Sequence, residues 1–185
     1  MSKTKELPSV DYLNECFFLL GNGSLVWKDR PQSHFPKRDY QFKIWNRAYS
    51  GRVADVDMLN GYYAVCINGV RYKSHRVVYA IVNNGICKDY QIDHKNGNGK
   101  DNRPENLRLA TQSQNTINFK GGRKDNFSGC RGISWKERNK KWQAQICHKG
   151  VNKYLGLFAR KEDAIKASSE ARRAAFGEFW VSQNE

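Results

Sequence analysis

The side chains best suited to chemistry lie in one polar stretch, residues 91–118, which reads QIDHKNGNGKDNRPENLRLATQSQNTIN. Asp93 supplies a carboxylate oxygen, the kind of hard ligand that Mg²⁺ and Mn²⁺ prefer. The adjacent His94 has an ordinary pKa of about 6.5, which suits a general base near neutral pH. Asn115 offers an amide oxygen as a second ligand. Together these residue types suit a hydrolysis assisted by a metal ion.

One carboxylate and one amide favour a single metal ion, because a two-metal phosphodiesterase usually needs more carboxylates. The remaining coordination positions would be open to phosphate oxygens and water. We therefore expect Mg²⁺ or Mn²⁺, with one ion per site. Clusters of Asn, Gly and Asp are also ordinary turn formers, so a purely structural loop is the alternative on residue types alone.

Short elements must position these residues. The pattern predicts, in order, a strand through Ile92, a loop over 95–105, a returning strand at 107–109 and a helix capped by Thr111. Successive residues of a regular strand point to opposite faces. Asp93 and His94 can therefore share a site only if the strand ends or twists there.

Two hairpins and a helix are predicted upstream of this stretch. The paired strands are 17–20 with 24–27, and 62–67 with 70–73. Asn68-Gly69 joins the second pair, and Asn-Gly is the strongest short signal for a hairpin. Ser74 is placed to cap a helix over 75–82, which residues 83–85 would end.

The order and spacing of SHRVVYAIV, IDHKNGNGKDNRPENLRLAT and SQN closely resemble the HNH homing endonucleases of phages and mobile introns. The resemblance spans residues 60–120, and the upstream pieces LVWK and KIWNRAYSGRVA are similar to the N-terminal part of phage members. It implies a ββα-metal fold, also called a His-Me finger. It also implies a DNA substrate.

The same resemblance implies a role for each motif residue. Asp93 and Asn115 would bind the metal, His94 would be the general base, and Asn106 would brace the loop and orient that base. The last motif position is Asn and not His, so we expect no zinc, which favours imidazole. His75 is interpreted as a structural or phosphate-contacting histidine. Basic residues expected on DNA are Arg76, Arg108, Lys120, Arg123 and Lys124.

Residues 128–182 predict a second unit. Apolar and polar residues alternate along three segments, which describes a three-stranded antiparallel sheet with one apolar face and one polar face. Residues 161–176 predict a helix, because small residues recur there at intervals of three and four. These small residues are Ala164, Ala167, Ser168, Ala171 and Ala175.

This second unit resembles the AP2 DNA-binding domain through RGI, KW-x-A-x-I, YLG-x-F and an Ala-rich helix that ends in FG. The resemblance implies that the polar sheet face contacts DNA in the major groove. The residues expected to do so are Arg131, Ser134, Lys136, Gln143, Gln145 and Tyr154. On chemistry alone, a solvated sheet face is an equal alternative.

Composition narrows the function classes. The 185 residues carry 32 Lys and Arg against 18 Asp and Glu, a formal charge of +14, which favours a polyanionic partner. The longest apolar run, residues 77–82, is too short for a membrane helix, and the N-terminus lacks the apolar core of a signal peptide. Five single cysteines without a CxxC pair argue against a disulfide scaffold and a zinc ribbon. We expect the cytoplasm of a bacterial or phage-infected cell.

The sequence thus predicts an α+β chain with a ββα-metal nuclease unit and a small AP2-like domain, a three-stranded sheet packed on one helix. The expected ranges are 1–60 for a strand-rich region that contacts DNA or supports the nuclease, 61–118 for the nuclease, 119–129 for a basic linker and 130–182 for the AP2-like domain. The predicted function is a site-selective, homing-type DNA endonuclease that uses a one-metal mechanism.

Such an enzyme would act on double-stranded DNA as a monomer or weak dimer and would nick one strand per active site. The alternative is a DNA-binding regulator or architectural protein with an inactive nuclease motif. The presence of all four motif residues argues against that alternative. An RNA-binding protein ranks last, because the sequence has no RNP aromatic signature and no GxxG clamp.

Overall fold

The computed structural model describes residues 5–36, 40–86, 89–115, 127–148 and 150–180. The chain forms two compact units, Met1–Thr111 and Gln112–Glu185. The division falls ahead of the range predicted for a basic linker. No helix in the described ranges is long and apolar enough to span a bilayer.

The first unit contains three small antiparallel sheets and three α-helices among its described residues. Its elements are α1 (Val10–Cys16), β1 (Phe17–Leu19), β2 (Leu25–Trp27), α2 (Gln41–Tyr49), β3 (Val56–Asp57), β4 (Tyr63–Ile67), β5 (Val70–Lys73), α3 (Ser74–Val82), β6 (Gln91–His94) and β7 (Leu107–Ala110). The strand orders are β1-β2, β3-β4-β5 and β6-β7.

Both predicted hairpins are present. β1 pairs with β2, and β4 pairs with β5, each antiparallel. In the second hairpin, Asn68 and Gly69 have φ angles of 50° and 78°, the positive values that a type I′ turn requires at both central positions. Local turn chemistry therefore defines the register of these strands.

The helix predicted after the second hairpin is present, but Ser74 does not cap it. α3 begins at Ser74, and Lys73 is the N-cap residue. The Ser74 hydroxyl is buried beside Asp55 and so is not placed to accept the first helical amides. Asn83 ends the helix, as the sequence predicts, and the Gly85 amide donates to the Ala80 carbonyl at 2.9 Å.

A single hydrophobic core joins the N-terminal sixty residues to the predicted nuclease motif. It combines buried side chains from both parts, among them Leu13, Phe17, Leu25, Val65, Val77, Val78, Ile92 and Leu107. Helix α3 contacts both β6 and β7 from this core. The N-terminal region therefore supports the hairpin that carries Asp93 and His94.

The second unit contains α4 (Gln112–Asn115), β8 (Ile133–Lys136), β9 (Lys141–His148), β10 (Val151–Phe158) and α5 (Lys161–Phe176). The three strands form an antiparallel sheet in the order β10-β9-β8, as the alternation predicts. Helix α5 packs on its apolar face, where Ile133, Ala144 and Ala164 are buried together.

One position in α5 departs from the predicted small-residue face. Ala164 and Ser168 are buried as expected, and the next residue in that row is the buried Arg172. Its Nε donates to Ser168 Oγ at 3.3 Å, and its Nη2 donates to the Arg131 carbonyl at 2.9 Å. These two bonds make burial of the guanidinium tolerable, because a buried charge needs hydrogen-bond partners.

Candidate active site

The hairpin of β6 and β7 carries the residues whose side chains could take part in catalysis. Its register places Asp93 opposite Arg108, and His94 opposite Leu107. His94 is the last residue of β6, so the chain leaves the regular strand there. Asp93 and His94 are both buried, which means that each must find polar partners inside the protein.

Asn106 braces the loop that joins the two strands. Its Oδ1 accepts the Asn96 amide at 3.0 Å, and its Nδ2 donates to the Asp101 carbonyl at 2.7 Å. The Lys95 amide donates to the Asn106 carbonyl at 2.8 Å. Asn106 therefore holds both ends of the loop backbone.

The side chain that contacts the expected base is that of Asn102. The His94 Nε2 atom lies 3.1 Å from Asn102 Oδ1, and both residues are buried. An amide oxygen only accepts hydrogen bonds, so Nε2 carries the proton. The remaining ring nitrogen, Nδ1, then holds a lone pair that can accept a proton.

Burial lowers the pKa of His94 below its ordinary 6.5, although the hydrogen bond that His94 donates to Asn102 and the charge of Asp93 act in the opposite direction. The imidazole is therefore neutral at neutral pH. A neutral imidazole with an oriented lone pair is the form that a general base requires.

Asn102 had not been singled out from the sequence, because it lies among turn-forming residues with no distinguishing spacing. A clamp beside it sets its position: Arg103 donates to both Asp101 carboxylate oxygens at 2.8 Å. This guanidinium holds the pKa of Asp101 at about 2. The charged clamp fixes the backbone on either side of Asn102.

Asp93 is paired with Arg108, a residue that the sequence assigned to DNA. The Arg108 Nη2 and Nε atoms donate to Asp93 Oδ2 at 2.8 and 3.0 Å. The Asp93 side chain is 8% exposed and that of Arg108 is 10% exposed, so water screens this pair little. The contact of Arg108 with DNA stays a prediction.

His75 lies next to the expected base. Its ring centroid is 4.9 Å from that of His94, and the two rings are perpendicular. Tyr62 packs near both histidines. The His75 Nδ1 atom is buried without a hydrogen-bond partner, and burial lowers the pKa of His75 well below 6.5. His75 therefore contributes a neutral ring to the wall behind His94.

The donor chemistry fits a hard divalent ion with few protein ligands. In the described ranges, no group of three or more His, Cys, Asp or Glu side chains could hold a metal together. Asp93 provides one hard oxygen, which suits Mg²⁺ or Mn²⁺ better than zinc. Asn115 is the last residue of α4 in the second unit, and its role as a ligand stays a prediction.

The polar face of the second unit gathers most of the residues predicted to contact DNA there. Ser134 lies opposite Gln143, and Gln145 lies opposite Tyr154. Residues directly opposite in an antiparallel pair share a face, and Lys136 follows on the same face. Arg131 is exposed just before β8.

Of the remaining residues predicted to contact DNA, one is described by the structure and three are not. Arg76 belongs to α3 and donates to the Lys5 carbonyl at 2.8 Å. Lys120, Arg123 and Lys124 lie outside the described residues.

Comparison with known proteins places the hairpin in a family. The HNH endonuclease profile matches residues 72–117, which include all four motif positions. Protein 3.8 of Escherichia phage T7 is 36% identical over 110 residues, 58% of this chain and 87% of that protein. The uncharacterized HNH endonuclease L560 of Acanthamoeba polyphaga mimivirus is 31% identical over 118 residues, 63% of this chain and 60% of that protein.

No solved structure matches the chain. The family match nevertheless covers β6, β7 and the loop that Asn106 braces. This hairpin carries Asp93 and His94, which are adjacent in the sequence and are both buried. The chain belongs to the HNH endonuclease family and is a DNA endonuclease.

Proposed function

We propose that this endonuclease is a metal-dependent, site-selective enzyme of the homing type that cuts one phosphodiester per active site. The observation that carries the proposal is the contact between Asn102 and His94, which leaves one histidine nitrogen free to act as a base. Asp93 and Asn115 would hold one Mg²⁺ or Mn²⁺ ion. When bound, the ion supplies positive charge to the scissile phosphate and to the departing oxygen.

His94 takes a proton from the attacking water at Nδ1, while Asn102 keeps the Nε2 proton in place. The water oxygen bonds to phosphorus, and the bond from phosphorus to the 3′ oxygen breaks. The 3′ oxygen takes a proton from solvent. The products are a 5′-phosphate and a 3′-hydroxyl, and His94 returns its proton to solvent for the next cycle.

A single general base activates one water against one phosphodiester, so one active site produces a nick. A double-strand break then requires a second visit or a second copy of the chain. We propose that the protein works as a monomer or a weak dimer.

Target selection is assigned to the AP2-like second unit. Its polar face carries Gln143 and Gln145, whose amides can pair with base edges, and Lys136, which can pair with phosphate. The Gln143 Nε2 donates to Gln145 Oε1 at 3.3 Å, so neighbouring amides on this face are already aligned. The formal charge of +14 supports binding of a polyanion by the whole chain.

The test is cleavage of supercoiled plasmid that carries candidate genomic DNA, with Mg²⁺ and with EDTA. Wild type is compared with His94→Ala and with His148→Ala, which removes a histidine outside the hairpin. We expect nicked circles that require both the metal and His94, with His148→Ala as active as wild type. Equal cutting by His94→Ala, or cutting in EDTA, would overturn the mechanism.

The Arg108–Asp93 ion pair gives one specific reason to keep a second function in view. A carboxylate that is permanently paired with a guanidinium would not bind metal, and the chain would then be a DNA-binding regulator with an inactive motif. Tight, specific DNA binding without any product in Mg²⁺ or Mn²⁺ would favour that second function.

A further inference from the structure

We propose that Arg108 is a positioning residue that competes with the divalent cation for Asp93, so that the cation binds tightly only together with a DNA phosphate. This inference rests on the proposed function, because it assumes that Asp93 is the metal ligand. It assigns to Arg108 a role in metal binding that its predicted contact with DNA does not include.

The first argument is geometric. Arg108 lies directly across the β6–β7 pair from Asp93, and two of its nitrogens donate to the same carboxylate oxygen, Oδ2, at 2.8 and 3.0 Å. The strand register therefore delivers the guanidinium to this carboxylate. A cation that binds Asp93 must share the carboxylate with Arg108 or replace it.

The second argument is electrostatic. Arginine stays protonated at every physiological pH, so the pair carries no net charge. A divalent ion beside Asp93 would also be repelled by the guanidinium, and burial of the pair weakens the screening of that repulsion. Asp93 in the free protein is therefore a poor cation site.

The surrounding hairpin adds no free acidic group. The three carboxylates between residues 91 and 110 each have an arginine nitrogen within 4 Å. Asp101 and Glu105 are both near Arg103, at 2.8 and 3.9 Å. Acidic side chains of this hairpin are thus compensated by arginines of the same hairpin.

Binding of DNA would remove the competition between Arg108 and the cation for Asp93. A phosphate group accepts two hydrogen bonds from a guanidinium in the same way as a carboxylate does. In the complex, Asp93 can pass from Arg108 to the cation while Arg108 passes from Asp93 to a phosphate oxygen. Cation and DNA would then raise each other's affinity for the protein. The phosphate draws Arg108 away from Asp93, and the cation releases Arg108 for the phosphate.

The test measures Mn²⁺ binding to the full chain without DNA, from the loss of the free-ion EPR signal after the protein has been stripped with EDTA. Wild type is compared with Arg108→Gln, Arg108→Lys and Arg71→Gln. Arg71 is exposed on β5, which belongs to a different sheet from the strand that carries Asp93, so its substitution removes the same charge elsewhere in the unit.

We expect Arg108→Gln to tighten Mn²⁺ binding about tenfold or more, in the range by which second-layer residues alter metal affinity. Arg108→Lys should stay near wild type because it keeps the charge, and Arg71→Gln should be unchanged. Equal affinities for wild type and Arg108→Gln, or an equal gain in Arg71→Gln, would overturn the inference.

A second measurement covers the case in which Arg108→Gln does not fold. It uses the uncut complex of His94→Ala with target duplex, and it subtracts Mn²⁺ binding by duplex alone. Tighter Mn²⁺ binding in the complex supports the inference, and unchanged affinity overturns it.

The two proposals fail in different ways. Metal-dependent cutting with no effect of Arg108→Gln on Mn²⁺ affinity would reject the competition and leave the nuclease mechanism in place. Unchanged Mn²⁺ affinity on adding Asp93→Asn to the His94→Ala complex with duplex, together with uncut plasmid in the wild type, would reject the proposed metal site itself.

Discussion

Gly23, in the turn of the first hairpin, lies directly against the backbone of Asn102, the residue that contacts His94. A β-carbon on Gly23 would come within 2.2 Å of the Asn102 carbonyl carbon and 2.4 Å of the Arg103 nitrogen. Gly23 also has a φ of 82°, a value that favours glycine. The turn between β1 and β2 therefore forms part of the support for the active-site loop.

This contact predicts that Gly23→Ala lowers both the free energy of unfolding and the rate of cleavage. The matched control is Gly51→Ala, since Gly51 has a similar φ of 74° but nothing within 4 Å of its β-carbon position. We expect the control to lose about 1–2 kcal/mol from the positive φ alone. Gly23→Ala should lose roughly 2 kcal/mol more, because the clash is with backbone.

Urea denaturation measures the stability term, and plasmid nicking measures the rate. Equal losses in the two variants would contradict a supporting role for the first turn.

The hydrogen bond between Asn102 and His94 predicts that substitution of Asn102 changes kcat and leaves KM nearly unchanged. Asn102→Ala removes the acceptor that fixes the His94 tautomer, so kcat should fall about tenfold or more while KM for DNA stays near wild type. Asn102→Asp keeps an acceptor at the same place and should retain more of the activity. Steady-state cleavage of a labelled duplex over a range of DNA concentrations gives both parameters.

Asn106→Ala serves as the comparison for this prediction. It removes three contacts within the loop and should lower stability as well as kcat. If Asn102→Ala instead raised KM alone, Asn102 would be a DNA contact and not an orienting residue.

Buried His75 predicts a specific loss of stability in acid. Its pKa is lowered well below 6.5 in the folded protein, mainly by burial, whereas the unfolded chain titrates near 6.5. The unfolded state therefore binds more protons below that pH. The free energy of unfolding should fall as the pH drops, by about 1.4 kcal/mol per unit from this residue.

His75→Phe keeps a ring beside Tyr62 and His94 but does not titrate. Urea denaturation between pH 7.5 and 5 should therefore show a shallower decline for this variant than for wild type. His34 remains in both proteins, and burial lowers its pKa too, so some decline should persist in the variant. Parallel curves would show that His75 titrates normally in the folded state.

Elements defined by local signals were predictable from the sequence. Asn68-Gly69 predicted its hairpin, and the small-residue spacing predicted α5 at its observed bounds, because turn preference and helical periodicity act within a few residues. The polar cross-strand partners were not predictable. A long loop joins β6 to β7, so no turn type sets which residue faces Asp93.

Asn102 and Arg172 illustrate the same limit. The position of Asn102 depends on Gly23, which is distant in the sequence, and on the clamp of Asp101 with Arg103. Arg172 continues the buried row of Ala164 and Ser168, although arginine is almost never fully buried without a partner. Here the Arg131 carbonyl is that partner. Residue type alone does not predict the burial of a polar side chain when its hydrogen-bond partner is a backbone group distant in the sequence.

The proposed DNA face of the second unit makes a prediction about salt. Lys136 lies on the polar face of the sheet, whereas Lys166 is exposed on α5, which packs on the opposite face. Lys136→Gln should weaken DNA binding and reduce the slope of log affinity against log salt by about 0.9, the effect of one lost phosphate contact. Lys166→Gln removes the same charge and should leave the slope unchanged. Fluorescence anisotropy of a labelled duplex in EDTA, from low to moderate salt, separates the two. Equal slopes in both variants would mean that the sheet face is solvated and that DNA is bound elsewhere on the chain.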